Sequence, residues 1–211
     1  MRITKAMKKT MLERLEQSYK DTTTALTYST PFELMIAVIL SAQCTDARVN
    51  IITARMFPRY NTPEKILELG QAGLEQEIRD CGLFRSKAKN ILATCEKLCR
   101  DYGGQVPGNF ADLVQLPGVG RKTANVLLSQ LFGVPAIAVD THVFRVSNRL
   151  KLASGETPLA VEQGLMRTIP REQWSDAHHW LIWHGRKVCK AAKPLCQVCP
   201  LCDLCPSSLL Q

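Results

Sequence analysis

Five of the nine cysteines in this chain of 211 residues lie close together near its C-terminal end. They are Cys189, Cys196, Cys199, Cys202 and Cys205, and two residues separate each of the last four from the next. A tail this short and polar has too few apolar side chains to form a core of its own. Clustered thiolates can stabilise such a segment by binding metal, because metal binding contributes folding free energy. The sequence therefore predicts a metal centre in this tail, and the spacing alone allows either zinc or an iron–sulfur cluster.

The chain shows no segment expected to enter or cross a membrane. Its longest apolar run, Leu34 to Leu40, is far shorter than the roughly 20 residues that span a bilayer. Lys and Arg occur near the N-terminus without the apolar stretch of a signal peptide. We therefore expect a cytoplasmic location with reduced thiols, which disfavours disulfide bonds as the role of the cysteine tail.

The charge of the chain is compatible with a polyanionic partner. The formal net charge is +8 at pH 7, and the sequence pI is about 9.1. An excess of this size suits binding to nucleic acid. Charge alone equally allows a solvated basic surface that has no partner.

Helical periodicity and helix-capping residues predict an all-α fold. Thr30-Pro31-Phe32-Glu33 forms a capping box that opens a helix from Phe32 to about Ala42. That helix is apolar on every side, so we expect it to be buried. Further helices are expected from Thr45 to near Pro58, from Thr62 to Gly70, from Leu74 to Cys81, from Ser86 to Gly103, from Phe110 to Val114, from Arg121 to Phe132, from Asp140 to Leu150, from Thr157 to Pro170 and from Gln173 to about Arg186.

A glycine-containing turn joins two of the expected helices, over about 110–132, and suggests a phosphate site. Its residues are Leu116-Pro117-Gly118-Val119-Gly120, and Arg121 opens the next helix. Glycine permits a positive φ and a close approach of another backbone. The N–H groups and the dipole at a helix N-terminus favour an anion. In a basic protein we expect this anion to be a nucleic-acid phosphate, whereas a tight turn without a ligand is the simpler alternative.

Two residues near this turn have the chemistry of a catalytic pair. Lys122 lies in the first turn of a helix, where the dipole disfavours positive charge. A nucleophilic amine must be neutral, and the helix end, partial burial and Arg121 beside it would all favour that form. Asp140 is expected to cap the next helix, whose N–H groups stabilise a carboxylate. A lysine that only binds phosphate and an aspartate that only caps a helix are the alternatives.

Together, these segments resemble the endonuclease III family of helix-hairpin-helix DNA glycosylases. The segments that carry the resemblance are PFELMIAVILSAQCTD at 31–46, GLFRSKAKNI at 82–91, LPGVGRKTANV at 116–126, AVDTHVFRV at 138–146, and HHWLIWHGRKVC leading into the cysteine tail. The resemblance covers nearly the whole chain, and the segments occur in the same order.

The resemblance implies roles for individual residues. Lys122 matches the lysine that forms a Schiff base, and Asp140 matches the catalytic aspartate. Gln43 and Leu83 match residues that fill the gap left by a flipped base, and His142 matches a position beside the catalytic aspartate. The expected DNA-binding set also includes the turn residues Gly118, Val119, Gly120 and Arg121. Lys190 and Lys193 lie in a basic loop that follows Cys189, and this loop could touch DNA phosphate.

The resemblance also implies a [4Fe–4S] cluster bound by Cys189, Cys196, Cys199 and Cys205, with spacing C-x6-C-x2-C-x5-C. Cys202 lies outside this pattern. With Cys196, Cys199 and Cys205 it forms a rival set similar to a ferredoxin run, although the last gap is one residue short. Zinc is the less favoured metal once the resemblance is considered.

The implied architecture is two all-α lobes. A six-helix barrel would span 24–134, and a cluster domain would combine 1–23 with 135–211 and contain the cluster loop at 189–205. The implied protein is a monomer that excises oxidised pyrimidines from duplex DNA and nicks the abasic site by β-elimination. Lys122 disfavours the adenine-mismatch and thymine-mismatch branches. A non-catalytic DNA-binding module and a redox protein remain as alternative classes.

Overall fold

The computed structural model describes residues 3–210, which form helices joined by loops and contain no β-strand. The α-helices are α1 (Lys5–Tyr19), α2 (Pro31–Leu40), α3 (Asp46–Met56), α4 (Pro63–Glu77), α5 (Phe84–Tyr102), α6 (Phe110–Leu113), α7 (Arg121–Phe132), α8 (Thr141–Leu150), α9 (Pro158–Thr168) and α10 (Trp174–Lys187). Short 3₁₀ turns occur at Arg171–Gln173 and Cys196–Val198. The predicted all-α class is confirmed. No helix within the described residues is long and apolar enough to cross a bilayer.

The chain forms two compact units. One spans Ala25–Phe132 and contains α2 to α7. The other combines the described residues up to Thr24 with those from Gly133 onward, and contains α1 and α8 to α10. The assignment of 24–134 as a barrel domain, and of 1–23 with 135–211 as a cluster domain, stays a prediction.

Helix α2 is the central element of the unit that spans Ala25–Phe132. Every residue from Phe32 to Leu40 is buried, as the uniformly apolar sequence predicts. The predicted cap is present, because the Glu33 N–H donates to Thr30 Oγ1 at 3.2 Å. The Glu33 carboxylate accepts the Ser29 N–H at 2.6 Å, which satisfies a buried charge. The capping box therefore fixes the start of the most buried helix.

Two backbone features set the boundaries of α4 and α5. Gly70 interrupts α4 with φ 61° and ψ −177°, at the position where the sequence predicts a helix end. The helix then resumes and ends at Glu77, so the predicted helix over Leu74–Cys81 is too long. Helix α5 begins at Phe84 rather than at the predicted Ser86. Leu83 precedes it in the left-handed region, a conformation for which leucine gives no sequence signal.

In the other unit, α10 packs against α1 and α8. Their buried side chains include Leu15, Val146, Trp180 and Leu181, and Leu201 from the tail joins the same core. Arg14 of α1 donates to the Pro200 carbonyl at 3.0 Å and to Asp203 at 2.6 Å. The first helix and the cysteine tail therefore belong to one packed structure.

Candidate nucleic-acid interface and metal centre

The turn between α6 and α7 has the tight geometry that its glycines predict. Gly118 adopts φ 79°, and a Cβ atom at this position would lie 3.1 Å from Asn90 Cβ. The Thr94 hydroxyl donates to the Pro117 carbonyl at 2.6 Å, and the Val119 N–H donates to the Leu116 carbonyl at 3.0 Å. These bonds fix the turn, and a side chain at Gly118 would be strained.

The outer surface of this turn is open. A Cβ at Gly120 would meet no atom within 4 Å, and this residue is exposed. The Val119 side chain is buried, and its N–H is already bonded, so Val119 can contribute only to the shape of the turn. Arg121 lies over the Phe110 ring at 5.1 Å. The exposed backbone and the N-terminus of α7 form a surface suited to a phosphate group.

Lys122 is the second residue of α7, and its side chain is exposed. The expectation of partial burial is therefore wrong. The side chain extends from the first helical turn into solvent. No acidic residue lies in the first turn of α7. The exposed amine therefore lies at the N-terminus of α7, beside Arg121.

Asp140 is the N-cap of α8, as predicted. Its backbone is extended, with φ −94° and ψ −174°, and its Oδ1 accepts the Val143 N–H at 2.7 Å. The residue is half-buried. Because one oxygen is bonded to the helix end, the carboxylate has a fixed orientation with a second oxygen available for other contacts.

His142 lies two residues after Asp140 and contacts a bridging arginine. The Nη2 atom of Arg145 lies 3.2 Å from His142 Nδ1 and donates to the Gly185 carbonyl at 3.0 Å. Arg145 also donates from Nε to the Cys189 carbonyl at 3.1 Å. The start of α8 is thereby tied to the end of α10 and to the first cysteine of the tail.

Gln43 and Leu83 share an unusual backbone conformation and lie on adjacent loops. Gln43 has φ 52° and Leu83 has φ 59°, and both are exposed, Leu83 by 57%. A Cβ at Gly82 would lie 3.1 Å from the Gln43 carbonyl oxygen, so the two loops approach closely. Left-handed conformations in residues other than glycine are uncommon and often occur at functional sites. The structure thus brings these two predicted site residues together.

The five tail cysteines line one cavity. Its volume is about 370 Å³, counting the part open to solvent. The cysteines are joined there by residues of α8 and α10, notably Arg149, Leu150 and His184. Within residues 3–210, no three His, Cys, Asp or Glu side chains are close enough to hold one metal ion. An iron–sulfur cluster needs a wider arrangement, because its cysteines bind different iron atoms around a shared core.

The environments of the cysteines differ. Burial is the main cause that raises the pKa of Cys199 to about 11, and Cys205, Cys189 and Cys196 add to it by their charges. Burial also raises the pKa of Cys205, and the charges of Cys189, Cys196 and Cys202 raise it further. Cys202 Sγ lies 3.1 Å from Ser208 Oγ. Metal ligation requires thiolates, so binding of a metal or a cluster by these cysteines would release protons.

Arg149 of α8 holds the loop between the first two tail cysteines. Its Nη1 donates to Cys189 Sγ at 3.4 Å and to the Lys190 carbonyl at 2.7 Å. Its Nη2 donates to the Ala191 carbonyl at 2.8 Å. Lys190 and Lys193 are exposed on this loop. The predicted basic loop is therefore present, and its backbone is fixed from α8.

His184 lines the cysteine cavity and Tyr19 contacts His184, although the sequence patterns identify neither residue as part of this site. His184 is fully buried, its Nδ1 lies 3.2 Å from the Tyr19 hydroxyl, and its Nε2 lies 3.8 Å from Cys199 Sγ. Burial lowers the pKa of His184 to about 4. Like Arg149, these residues come from parts of the chain outside the tail, and no local spacing signals the contact.

Comparison with known proteins identifies relatives over most of the chain. Residues 36–171 match the family described as the HhH-GPD superfamily base excision DNA repair protein. Endonuclease III of Rickettsia conorii is 57% identical over 176 residues, which cover 83% of this chain and 84% of the relative. Endonuclease III of Escherichia coli K12 is 51% identical over 195 residues, which cover 92% of each chain.

Solved structures give the same result. A structure of a trapped endonuclease III–DNA covalent intermediate superposes with a TM-score of 0.94 and 49% sequence identity, covering 98% of this chain and 97% of that one. A thermostable thymine-DNA glycosylase shares the fold, with a TM-score of 0.85 and 24% identity over 96% of each chain. The sequence matches, the structural match and the helical architecture together show that this chain belongs to the endonuclease III family of the HhH-GPD superfamily.

Proposed function

We propose that the protein is a bifunctional DNA glycosylase and AP lyase, which excises oxidised pyrimidines from duplex DNA and then nicks the abasic site by β-elimination. The observation that carries this proposal is the similarity, at 49% identity over 98% of the chain, to an endonuclease III trapped as a covalent intermediate with DNA. A covalent intermediate requires a nucleophile, and Lys122 is an exposed amine at a helix N-terminus.

In the proposed reaction, the Lys122 nitrogen attacks C1′ of the damaged nucleotide. The bond between C1′ and the base breaks, and the base leaves with that electron pair and takes up a proton. Opening of the sugar then leaves an imine between Lys122 and C1′. Removal of a proton from C2′ expels the 3′ phosphate and cleaves the strand. Asp140 accepts a proton from the amine or balances positive charge on the sugar.

The damaged base must leave the helix before it can react, which costs a few kcal/mol. Gln43 and Leu83 would fill the vacated space, because both are exposed on adjacent loops in left-handed conformations. Gly118, Val119, Gly120 and Arg121 would shape the phosphate site, while His142, Lys190 and Lys193 would add contacts to the backbone. These contacts position the duplex without reading its sequence.

Cys189, Cys196, Cys199 and Cys205 would hold a [4Fe–4S] cluster. The four thiols line one cavity, and the charges of the other three act on Cys199. When bound, such a cluster would cross-link the tail to the helices around it. We further propose that the protein acts as a monomer in the cytoplasm.

The test is borohydride trapping on a duplex oligonucleotide that contains one oxidised thymine. We expect a reduced covalent adduct with the protein, and a strand nicked at the lesion when borohydride is omitted. An undamaged duplex of the same sequence is the control and should give neither product. Release of the base without an adduct would contradict amine catalysis. Binding without any reaction would favour a non-catalytic DNA-binding module.

A further inference from the structure

Lys87 is a buried lysine that the proposed reaction does not use. Its side chain is only 4% exposed, although burial of a lysine normally costs free energy unless its donors are satisfied. Its Nζ donates to the Leu40 carbonyl at 2.8 Å and to Cys81 Sγ at 2.9 Å. The Cys81 thiol in turn donates to the same Leu40 carbonyl at 3.2 Å. Groups from three separate segments of the chain therefore meet at one point.

The electrostatics explain why a lysine is tolerated there. Lys87 lies in the first turn of α5, where the dipole of its own helix disfavours positive charge. Its Nζ instead contacts the last residue of α2, where unpaired carbonyls and the negative end of a helix dipole favour a cation. Burial raises the pKa of Cys81, although contact with Lys87 opposes this effect. The raised pKa favours the thiol form, which donates to the Leu40 carbonyl. The contact therefore links α5 to the end of α2.

Each partner of Lys87 lies shortly before one of the two exposed left-handed residues. Leu40 ends α2, and Gln43 follows in the next loop with φ 52°. Cys81 is two residues before Leu83, which has φ 59°. Such conformations persist only where surrounding contacts hold them. The close approach of Gly82 to the Gln43 carbonyl shows that the two loops are packed as one surface.

We propose that Lys87 is a positioning residue, which holds the loops of Gln43 and Leu83 in the conformation that enters the DNA duplex. The inference rests on the proposed function, because it assumes that these two side chains fill the gap left by the base. Lys87 is buried, so this role does not require it to contact DNA. Its contribution is to keep both loops fixed before the substrate binds, which reduces the ordering required on binding.

The test uses two substrates that differ only in the need for gap filling. A duplex with an oxidised thymine requires an extruded base and an occupied gap, whereas a single-stranded oligonucleotide with an abasic site requires only the amine chemistry. For Lys87→Met we expect kcat/KM on the duplex to fall roughly tenfold or more, with little change on the single strand. The variant should melt within about 5 °C of the parent protein, because methionine fills a similar volume.

Lys89→Met is the matched control, since Lys89 is exposed on the same helix and its loss changes the net charge equally. It should lower kcat/KM on the duplex and on the single strand by a similar factor. If Lys87→Met does not fold, Cys81→Ala supplies the test, because it removes the contact of Lys87 with the second loop but leaves the bond from Lys87 to the Leu40 carbonyl. It should show the same selective loss on the duplex, to a smaller extent.

A double-mutant cycle distinguishes positioning from a general structural role. If Lys87 acts through the two loops, then Lys87→Met should have little further effect in a Gln43→Ala, Leu83→Ala background. Additive losses, or equal losses on both substrates, would overturn the inference. A parent protein that processes neither substrate would instead contradict the proposed function, so the two failures can be told apart.

Discussion

The Asp140 carboxylate accepts the Val143 N–H at 2.7 Å and thereby caps the helix that begins at Thr141. Because of this bond, helix capping and catalysis by Asp140 can be tested separately. An asparagine in place of Asp140 would be an equally good cap, because its side-chain oxygen accepts the same hydrogen bond, but it has no charge. A structural role and a catalytic role therefore predict different outcomes for two substitutions.

Asp140→Asn should leave the free energy of unfolding nearly unchanged and slow base release by roughly 10²-fold or more. Asp140→Ala should also destabilise the protein by about 1 kcal/mol, because α8 loses its cap. Urea unfolding and single-turnover base release measure the two effects. If Asp140→Asn retains full activity, Asp140 is only a cap.

Lys122→Gln should abolish the borohydride-trapped adduct while preserving the fold, because the Lys122 side chain is exposed and lies outside the core. Gel analysis of the reduced adduct is the measurement. Arg121→Gln is the neighbouring control, which should weaken binding to DNA yet still yield an adduct at saturating protein. An adduct with Lys122→Gln would assign the nucleophile to a different amine.

Cys202→Ser should leave the metal centre intact. Its sulfur is paired with Ser208 Oγ at 3.1 Å, and a serine hydroxyl can maintain this contact. We expect about four irons and four sulfides per protein in this variant, whereas Cys196→Ser should lose most of both. Chemical determination of iron and sulfide provides the readout. A loss caused by Cys202→Ser would favour the ligand set made of the last four cysteines, and one zinc without sulfide would refute the cluster.

Lys190 and Lys193 should contribute to the salt dependence of DNA binding. Each is exposed on the loop held by Arg149, so each can displace a counterion from a phosphate. Replacing either with alanine should reduce the slope of log affinity against log salt by about one. Lys9→Ala on α1, where Lys9 pairs with Glu13 at 3.8 Å, serves as a comparison. An unchanged slope in both loop variants would exclude these lysines from the interface.

His179 should make the protein less stable in mild acid. Burial lowers its pKa, Arg186 lowers it further, and Asp176 opposes them. In the unfolded chain the histidine titrates near pH 6.5, so between that value and the lower folded pKa the unfolded state binds more protons. The free energy of unfolding therefore falls as the pH drops below about 6.5, and is fully recovered above it.

The measurement is the urea midpoint of the parent protein and of His179→Gln between about pH 7 and about pH 5. The variant should show a shallower fall. His184, whose pKa burial lowers to about 4, contributes to both proteins and cancels in the comparison. Parallel curves would show that His179 does not titrate differently in the two states.

Local signals in the sequence identify much of the fold. Asp140 caps its helix, Gly70 interrupts one and Gly118 adopts a positive φ, because each effect depends on a few neighbouring residues. The buried helix α2 follows from its uniformly apolar composition. The family resemblance then predicts roles for residues, such as Gln43 and Leu83, that no local pattern indicates.

Contacts between distant parts of the chain could not be predicted in this way. In the sequence, Lys87 resembles any other charged residue of an amphipathic helix, yet its Nζ is bonded to the end of α2. Arg149 likewise holds carbonyls of the cysteine loop. The sequence predicts partial burial of Lys122, whereas its actual exposure depends on how its helix packs. Such features depend on tertiary packing rather than on spacing.

The packing of α1 against α10 has a consequence for synthesis. On the ribosome, the segment from Ala25 to Phe132 emerges with all the residues of its own core. Helix α1 precedes that segment in the chain, but α10, against which it packs, and Pro200, to which Arg14 donates, are translated after it. Because domains fold as they are released, we expect α1 to remain without its packing partner until α10 and the cysteine tail have been translated.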